Sequence, residues 1–201
     1  MTKKSLLLLL LLIPGSFLLA QDEFPEVDAS QYDKVYPLYN GIARVRLDGK
    51  QGFISKTGQV IIPLMYEKAG NFHQGRAWVV LGGKYGLISN RGELVLPFEY
   101  DKISDFVEGL ALATKENRWG LINPLGEEII PLEYDQAFKV SEGRVLVQKN
   151  GKYGFLNTQG ERITEMEFDR AWPFFKGKAK VENAGKSYYI GKSGVCVQDC
   201  P

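Results

Sequence analysis

The feature that most restricts how this chain can fold is a strict internal repeat. Aromatic-acid pairs recur at Tyr32-Asp33, Tyr66-Glu67, Tyr100-Asp101, Tyr134-Asp135 and Phe168-Asp169, each step 34 residues with no insertion or deletion. Glycine keeps the same register at Gly41, Gly75, Gly109, Gly143 and Gly177. Further sets are Gly52, Gly86, Gly120 and Gly154, then Gly58, Gly92, Gly126, Gly160 and Gly194, and proline returns at Pro63, Pro97 and Pro131. A constant period of this length makes each copy one small unit that buries its apolar face against its neighbours. The five units run 32–65, 66–99, 100–133, 134–167 and 168–201, after a linker at 21–31.

A helical repeat can have the same period, but this composition rejects it. Three glycines and often a proline per copy cost too much inside helices. The apolar pattern has period two instead. Ala43/Val45, Ala77/Val79, Ala111/Ala113, Val145/Val147 and Ala179/Val181 hold alternate sites, while the residue between varies as Arg44, Trp78, Leu112, Leu146 and Lys180. One constant and one variable face describe a half-buried strand. Each unit therefore reads as a meander of three strands: the Ala-x-Val segment, a hairpin turn such as Asp48-Gly49 or Asn150-Gly151, a strand through Phe53-Ile54 and its equivalents, a second turn, and a strand such as Val60-Ile61-Ile62-Pro63. A fourth strand at the Tyr-Asp segment is the weakest expectation. The fold class expected is all-β: tandem 34-residue β-meander repeats in an open, elongated array. A small five-bladed propeller is the alternative, although propeller blades usually need about 40 residues or more and four strands.

The run Glu108-Gly-Leu-Ala, Asn117-Arg-Trp119-Gly120-Leu-Ile-Asn, Gly126-Glu-Glu-Ile-Ile-Pro131 and Tyr134-Asp135 resembles the WG repeat of bacterial exported proteins. The resemblance covers residues 32 to about 198. Trp-Gly itself occurs once; Tyr85-Gly86 and Tyr153-Gly154 are near matches and Gln51-Gly52 a weaker one. The last copy has Ser187-Tyr188 there, and Glu165 and Asp199 replace proline in the fourth and fifth copies. Such decay points to a terminal capping unit. The resemblance implies an envelope or secreted repeat module and brings no catalytic residues with it.

The N-terminus agrees with export. Lys3 and Lys4 precede the apolar run Leu6 to Ile13, Pro14-Gly15 breaks it, and Leu18-Leu19-Ala20 leads into Gln21-Asp22-Glu23. That is the layout of a signal peptide over residues 1–20, cleaved after Ala20. The uncharged stretch from Ser5 to Ala20 is short of the roughly 20 apolar residues that span a bilayer, so no integral membrane anchor is expected after cleavage. Cleavage takes two of the 25 Lys+Arg and none of the 24 Asp+Glu, leaving a formal charge of −1. That balance argues against nucleic acid as a partner.

The residues able to carry chemistry are few. Tyr85, Trp119 and Tyr153 form either a row of stacking platforms or a packed row whose glycine neighbours let a strand approach; packing is the favoured reading. Trp78 and Trp172 stand at other, variable positions, which suits them to specific contacts. Cys196 and Cys200 lean toward a disulfide in an exported protein. Four residues of extended strand span about 13 Å, whereas a bridge needs Cα atoms within about 7 Å, so the last strand must turn back. Two thiols without a nearby His are too few for a metal site. His73, the only histidine, lies in a variable loop, which leaves little basis for a Ser-His-Asp or Cys-His centre. Gly185-Lys186-Ser187 and Gly191-Lys192-Ser193 mimic the end of a phosphate loop but have Lys180 and Lys186 where its first glycine belongs. The repeated acids suit turn capping better than acid-base chemistry. No catalytic residue, metal or cofactor is therefore expected. The reading is a non-enzymatic scaffold, periplasmic or secreted, that binds a protein or carbohydrate ligand. The alternative is a glycan-acting hydrolase using groove carboxylates.

Overall fold

The computed structural model describes residues 29–201; the expected signal peptide lies outside the described residues. After a short 3-10 turn at Ala29–Gln31, the chain builds five small antiparallel sheets in sequence. The first holds β1 (Lys34–Val35), β2 (Ile42–Leu47), β3 (Lys50–Ser55) and β4 (Val60–Tyr66), ordered as a simple meander. The second holds β5 (Lys68–Ala69), β6 (Arg76–Leu81), β7 (Lys84–Ser89) and β8 (Leu94–Tyr100). The third holds β9 (Lys102–Ile103), β10 (Ala111–Lys115), β11 (Arg118–Ile122) and β12 (Glu128–Tyr134). The fourth has β13 (Gln136–Ala137), β14 (Arg144–Lys149) and β15 (Lys152–Asn157). The fifth has β16 (Arg170–Ala171), β17 (Lys178–Asn183), β18 (Lys186–Gly191) and β19 (Cys196–Gln198).

The three-strand expectation thus needs correcting. A fourth strand exists, two residues long, directly after each aromatic-acid pair. Two residues carry no alternation, so the sequence pattern hardly marks it. The fourth sheet departs the other way. Its outer strand is reduced to the bridges Leu156↔Arg162 and Tyr153↔Phe168. Thr164 stands there in place of Ile62, Leu96 and Ile130, and its hydroxyl accepts the Phe155 N–H at 3.0 Å. A side-chain oxygen has replaced part of the ladder.

Local chemistry explains the hairpins. Leu47 pairs with Lys50 and Lys149 with Lys152, leaving two-residue turns. Both turn residues have positive φ, 49° and 74° at Asp48-Gly49 and 53° and 78° at Asn150-Gly151, as the type I′ hairpin requires.

The cores lie between sheets. Phe53 and Ile62 of the first copy pack on Ala69, Phe72, Ala77, Val79 and Ile88 of the second. The same arrangement recurs between the second and third, third and fourth, and fourth and fifth copies. Each sheet therefore has one face for its predecessor and one for its successor.

The array is open. A Cβ added to Gly92, Gly126, Gly160 or Gly194 would meet the preceding copy, at Ile62, Leu96, Ile129 and Ile163 respectively. Added to the equivalent Gly58, it would meet nothing within 4 Å. No apolar cluster joins the first and fifth copies among the described residues. The outward face of the fifth copy is more polar than those of the second and third. Gln198 stands where they have Leu96 and Ile130, Lys180 where they have Trp78 and Leu112, and Ser187 where they have Tyr85 and Trp119, with Lys178 Nζ 2.5 Å from Gln198 Oε1. This is a terminal cap of the kind repeat arrays need for solubility. The chain ends on a disulfide between Cys196 and Cys200, whose Cα atoms are 5.8 Å apart; Asp199, at φ 55°, lies in the turn that brings them together.

Candidate functional site

The dipeptide that marks each repeat is first a packing device. Trp119 pairs across the sheet with Tyr134, but Leu121 pairs with Ile130, so the outer strand carries two extra residues over this stretch. The three residues Pro131 to Glu133 stand opposite the single Gly120 and bulge over it. A Cβ on Gly120 would lie 2.8 Å from the Pro131 carbonyl carbon and closer still to the Ile130 oxygen. Gly52 and Gly86 meet Ile62 O and Leu96 O in the same way, and Gly154 meets Glu165 O. The aromatic neighbours behave differently from a pure core row. Tyr85, Trp119 and Tyr153 are half-buried, each resting on the edge of an inter-sheet cluster with part of the ring open.

The repeated acids tie the array together. Glu67 carboxylate oxygens accept the Gly82 and Gly83 N–H groups at 2.8 and 3.1 Å, capping the hairpin of its own copy. Asp101, Asp135 and Asp169 each give one oxygen to the matching turn, at Glu116, Asn150 and Ala184. Their other oxygen takes a cation from the copy before: Lys84 at 2.5 Å from Asp101, Arg118 on Asp135, Lys152 at 2.5 Å from Asp169. Glu108 accepts the Glu142 and Gly143 N–H groups one copy on, and Glu142 in turn accepts that of Gly177.

These contacts set a pH dependence. The Lys84 hydrogen bond holds the Asp101 carboxyl below its usual range, the Lys152 hydrogen bond does the same for Asp169, and the Gly177 N–H for Glu142. A carboxyl with a lower pKa folded than unfolded binds fewer protons in the folded state. The stability it lends is present above the ordinary carboxylate range and is lost as pH falls through the lowered folded value. Loss of these contacts is therefore expected to lower the melting temperature as pH drops below about 4. The triple variant Asp101→Asn, Glu142→Gln, Asp169→Asn should show a flatter acid limb; an unchanged limb in thermal melts from pH 7 to pH 2 would contradict the assignment.

The variable positions gather elsewhere. Trp78 lies beside Gly70, its backbone partner: Gly70 N–H donates to the Trp78 carbonyl at 2.8 Å, and a Cβ on Gly70 would come within 2.8 Å of Trp78 Cδ1. In the other copies this pair is Tyr36/Arg44, Ser104/Leu112, Phe138/Leu146 and Trp172/Lys180, so the smallest residue stands opposite the largest. The Trp78 indole N–H donates to Asp105 Oδ1 at 2.7 Å, and its ring sits 5.4 Å from that of Tyr85. A hollow of about 230 Å³ lies on one side of the Trp78–Asp105 contact, with Tyr39, Asn71 and His73 on its walls. A second, of about 240 Å³, holds Tyr85, Trp119, Ser104, Thr114, Lys102 and Lys139. Together they form a groove reaching from the first copy to the fourth.

Arg44, the first-copy equivalent of Trp78, stacks 3.8 Å over the Tyr36 ring and donates to the Ala69 carbonyl. Burial pulls its guanidinium below the usual value, while Tyr36 and Asp105 act in the opposite sense. His73 stacks on Phe106 with ring centroids 6.0 Å apart.

Of the five aromatics singled out in the sequence, Trp78, Tyr85 and Trp119 come together at this groove. Tyr153 and Trp172 do not: Tyr153 rests on the core between the fourth and fifth copies, and Trp172, 42% exposed, lies under Lys180 at 5.1 Å. Asp105, Asn71, Lys102 and Lys139 were missed. The one available signal was the paired departure at Gly70 and Trp78, readable only once the strand register is known.

Solved structures of similar shape were found at low identity. A eukaryotic initiation factor has 12% identity and a TM-score of 0.52, covering 88% of this chain and 57% of that one; this is a likeness of fold. The extracellular domain of the B. thetaiotaomicron protein BT4673 has 14% identity and a TM-score of 0.38 over 83% of this chain and 29% of that one. PorZ, a bacterial surface component of the type-IX secretion system of Porphyromonas gingivalis, has 11% identity and a TM-score of 0.34 over 78% and 25%. The chain thus spans just over half of the first and less than a third of the other two. No curated protein matches at a significant level. The family described as WG containing repeat matches five times in succession, at residues 29–50, 52–85, 85–119, 119–153 and 153–186. With the period, the buried glycine under its bulge and these matches in agreement, the chain belongs to the WG containing repeat family.

Proposed function

We propose that this protein is a non-enzymatic repeat scaffold, exported to the bacterial envelope or beyond it, that binds a protein or glycan through the groove around Trp78. The observation that carries this reading is the convergence of Trp78, Tyr85 and Trp119 with Asp105 on one concave surface. Trp78 and Asp105 stand at positions that vary between copies, so the scaffold alone does not require them. Concave sites with apolar walls and a few directed polar groups are where ligands bind. A hydrolase would use two carboxylates about 5–10 Å apart. Asp105 is the one carboxylate among the described residues lining the two hollows, and the repeated acids are engaged by turn N–H groups. Export rests on the charge, apolar and small-residue order of residues 1–20.

The test is retention of a partner from envelope extract, run beside a glycan array, on wild type and Trp78→Ala. Capture by the wild type alone, with both proteins folded, is the expected result. Equal capture by both proteins would remove the groove from the reading. Protein recovered from cells should begin at or near Gln21; an intact Met1 on membrane-bound protein would refute the export part.

A further inference from the structure

We infer that the ligand of this groove is an acidic oligosaccharide, a short chain of sugar rings bearing carboxylates; this rests on the reading of the protein as a binding module. Four features of the groove lead there. The first is subdivision. Two hollows of about 230 and 240 Å³ adjoin across the Trp78–Asp105 contact. Each is smaller than the roughly 300 Å³ at which drug-sized pockets begin, so the pair suits a chain of small rings better than one large ligand.

The second is the mixture of faces. Trp78, Tyr85 and Trp119 offer ring surfaces for the C–H face of a sugar. Asp105 stands between them as an acceptor, and Asn71 beyond it as both donor and acceptor. A carboxylate in mid-groove calls for ligand O–H or N–H donors. Sugar hydroxyls supply them.

The third is charge. Lys84, Arg118 and Lys152, three of the five cations at the repeated position, are ion-paired. Lys102 and Lys139, both exposed on the wall of the second hollow, form no ion pair among the described residues. In a mature chain of formal net charge −1, two ammonium groups outside any ion pair, beside the Trp78, Tyr85 and Trp119 rings, are a local feature that favours an anion. They also disfavour a cationic ligand in an aromatic cage.

The fourth concerns the backbone. A peptide that adds a strand needs a free sheet edge. The edge strands beside the groove, β5 and β9, are two residues long, and the Ala69 carbonyl on β5 is taken by Arg44. Recognition therefore falls to side chains.

The test uses titration calorimetry on the folded chain with trimers of galacturonate, mannuronate and glucuronate. Their methyl esters and a glutamate-rich hexapeptide serve as comparisons. At least one acidic trimer should bind, its neutral ester about tenfold more weakly, as expected when a charge-assisted hydrogen bond is lost. Lys139→Glu should lower affinity at least as much with an unchanged melting temperature, since this side chain is exposed. Trp78→Ala should abolish binding, and Trp78→Phe, which keeps a ring in place, should retain part of it. Equal binding of acid and ester, or affinity indifferent to Lys139→Glu, overturns the inference. So does binding of none of the trimers, or of the peptide alone. If an envelope partner is still retained in a Trp78-dependent way while no trimer binds, this inference fails and the binding-module reading stands; loss of both fails both.

Discussion

Gly120→Ala is expected to destabilise the protein by about 3 kcal/mol or more, the upper range for forcing one extra carbon into a packed site. The added methyl has no flexible side chain to displace. It would meet main-chain atoms, Ile130 O and the Pro131 carbonyl, held in place by the pairing of Leu121 with Ile130 and Trp119 with Tyr134. Relief requires the bulge to lift, and that uncouples the third copy's outer strand from its sheet. A control separates this from the general cost of replacing glycine. Gly143 has φ 74° and open space around it, so Gly143→Ala should cost only about 1 kcal/mol, from the left-handed backbone alone. The neighbouring ring ranks below the glycine. Trp119 as a fully buried core residue would cost about 3–5 kcal/mol on truncation. It is half-buried, so Trp119→Ala should cost about 2 kcal/mol while exposing the groove wall. Urea melts of the three variants give the order directly. If Gly120→Ala is as stable as Gly143→Ala, the close approach is not what the glycine serves.

This ordering shows how far the sequence speaks. Alternation at Ala77/Val79 and its copies marked the buried strand face, because a 34-residue period exposes which sites never change chemistry. The fate of Asp101 and Asp135 on turn amides was legible for the same reason. The bulge was not, because Pro131-Leu132-Glu133 reads equally well as a strand end. Nor was the position of Trp78. Its contact with Asp105 joins two copies at unlike repeat positions, and register within one copy says nothing about which loops of the next face it. Openness was legible from the length of the copy, since 34 residues fall short of the usual propeller blade, and Gly58, with nothing within 4 Å, agrees with it.

The largest effect on cooperativity is expected from Phe155→Ala. Phe155 is 0% exposed and lies between the fourth and fifth copies, its ring 5.1 Å from Phe174 and 6.3 Å from Phe168. Truncation should cost about 3–5 kcal/mol, as removal of buried aromatic rings does. The site has little means of collapsing onto the cavity. The Phe155 main chain is held on both sides, by its pairing with Leu146 and by Thr164 Oγ1, which accepts its N–H at 3.0 Å. Repeat stability is close to a sum of unit and neighbour terms. The fifth copy has a single neighbour, so weakening this one junction should release it before the rest. In place of one transition, two are expected. Trp172 fluorescence, read in a background where Trp78 and Trp119 are Phe, should report the first, with amides of β17 and β18 losing exchange protection. Those of β6, β7, β10 and β11 should keep it until the second. The matching change in mid-array, Leu87→Ala, weakens a junction with sheets on both sides and should lower a single, shared transition instead. A Phe155→Ala protein whose Trp172 signal and far-ultraviolet circular dichroism melt together would show that the five copies unfold as one unit, and that the last is not a separately held cap.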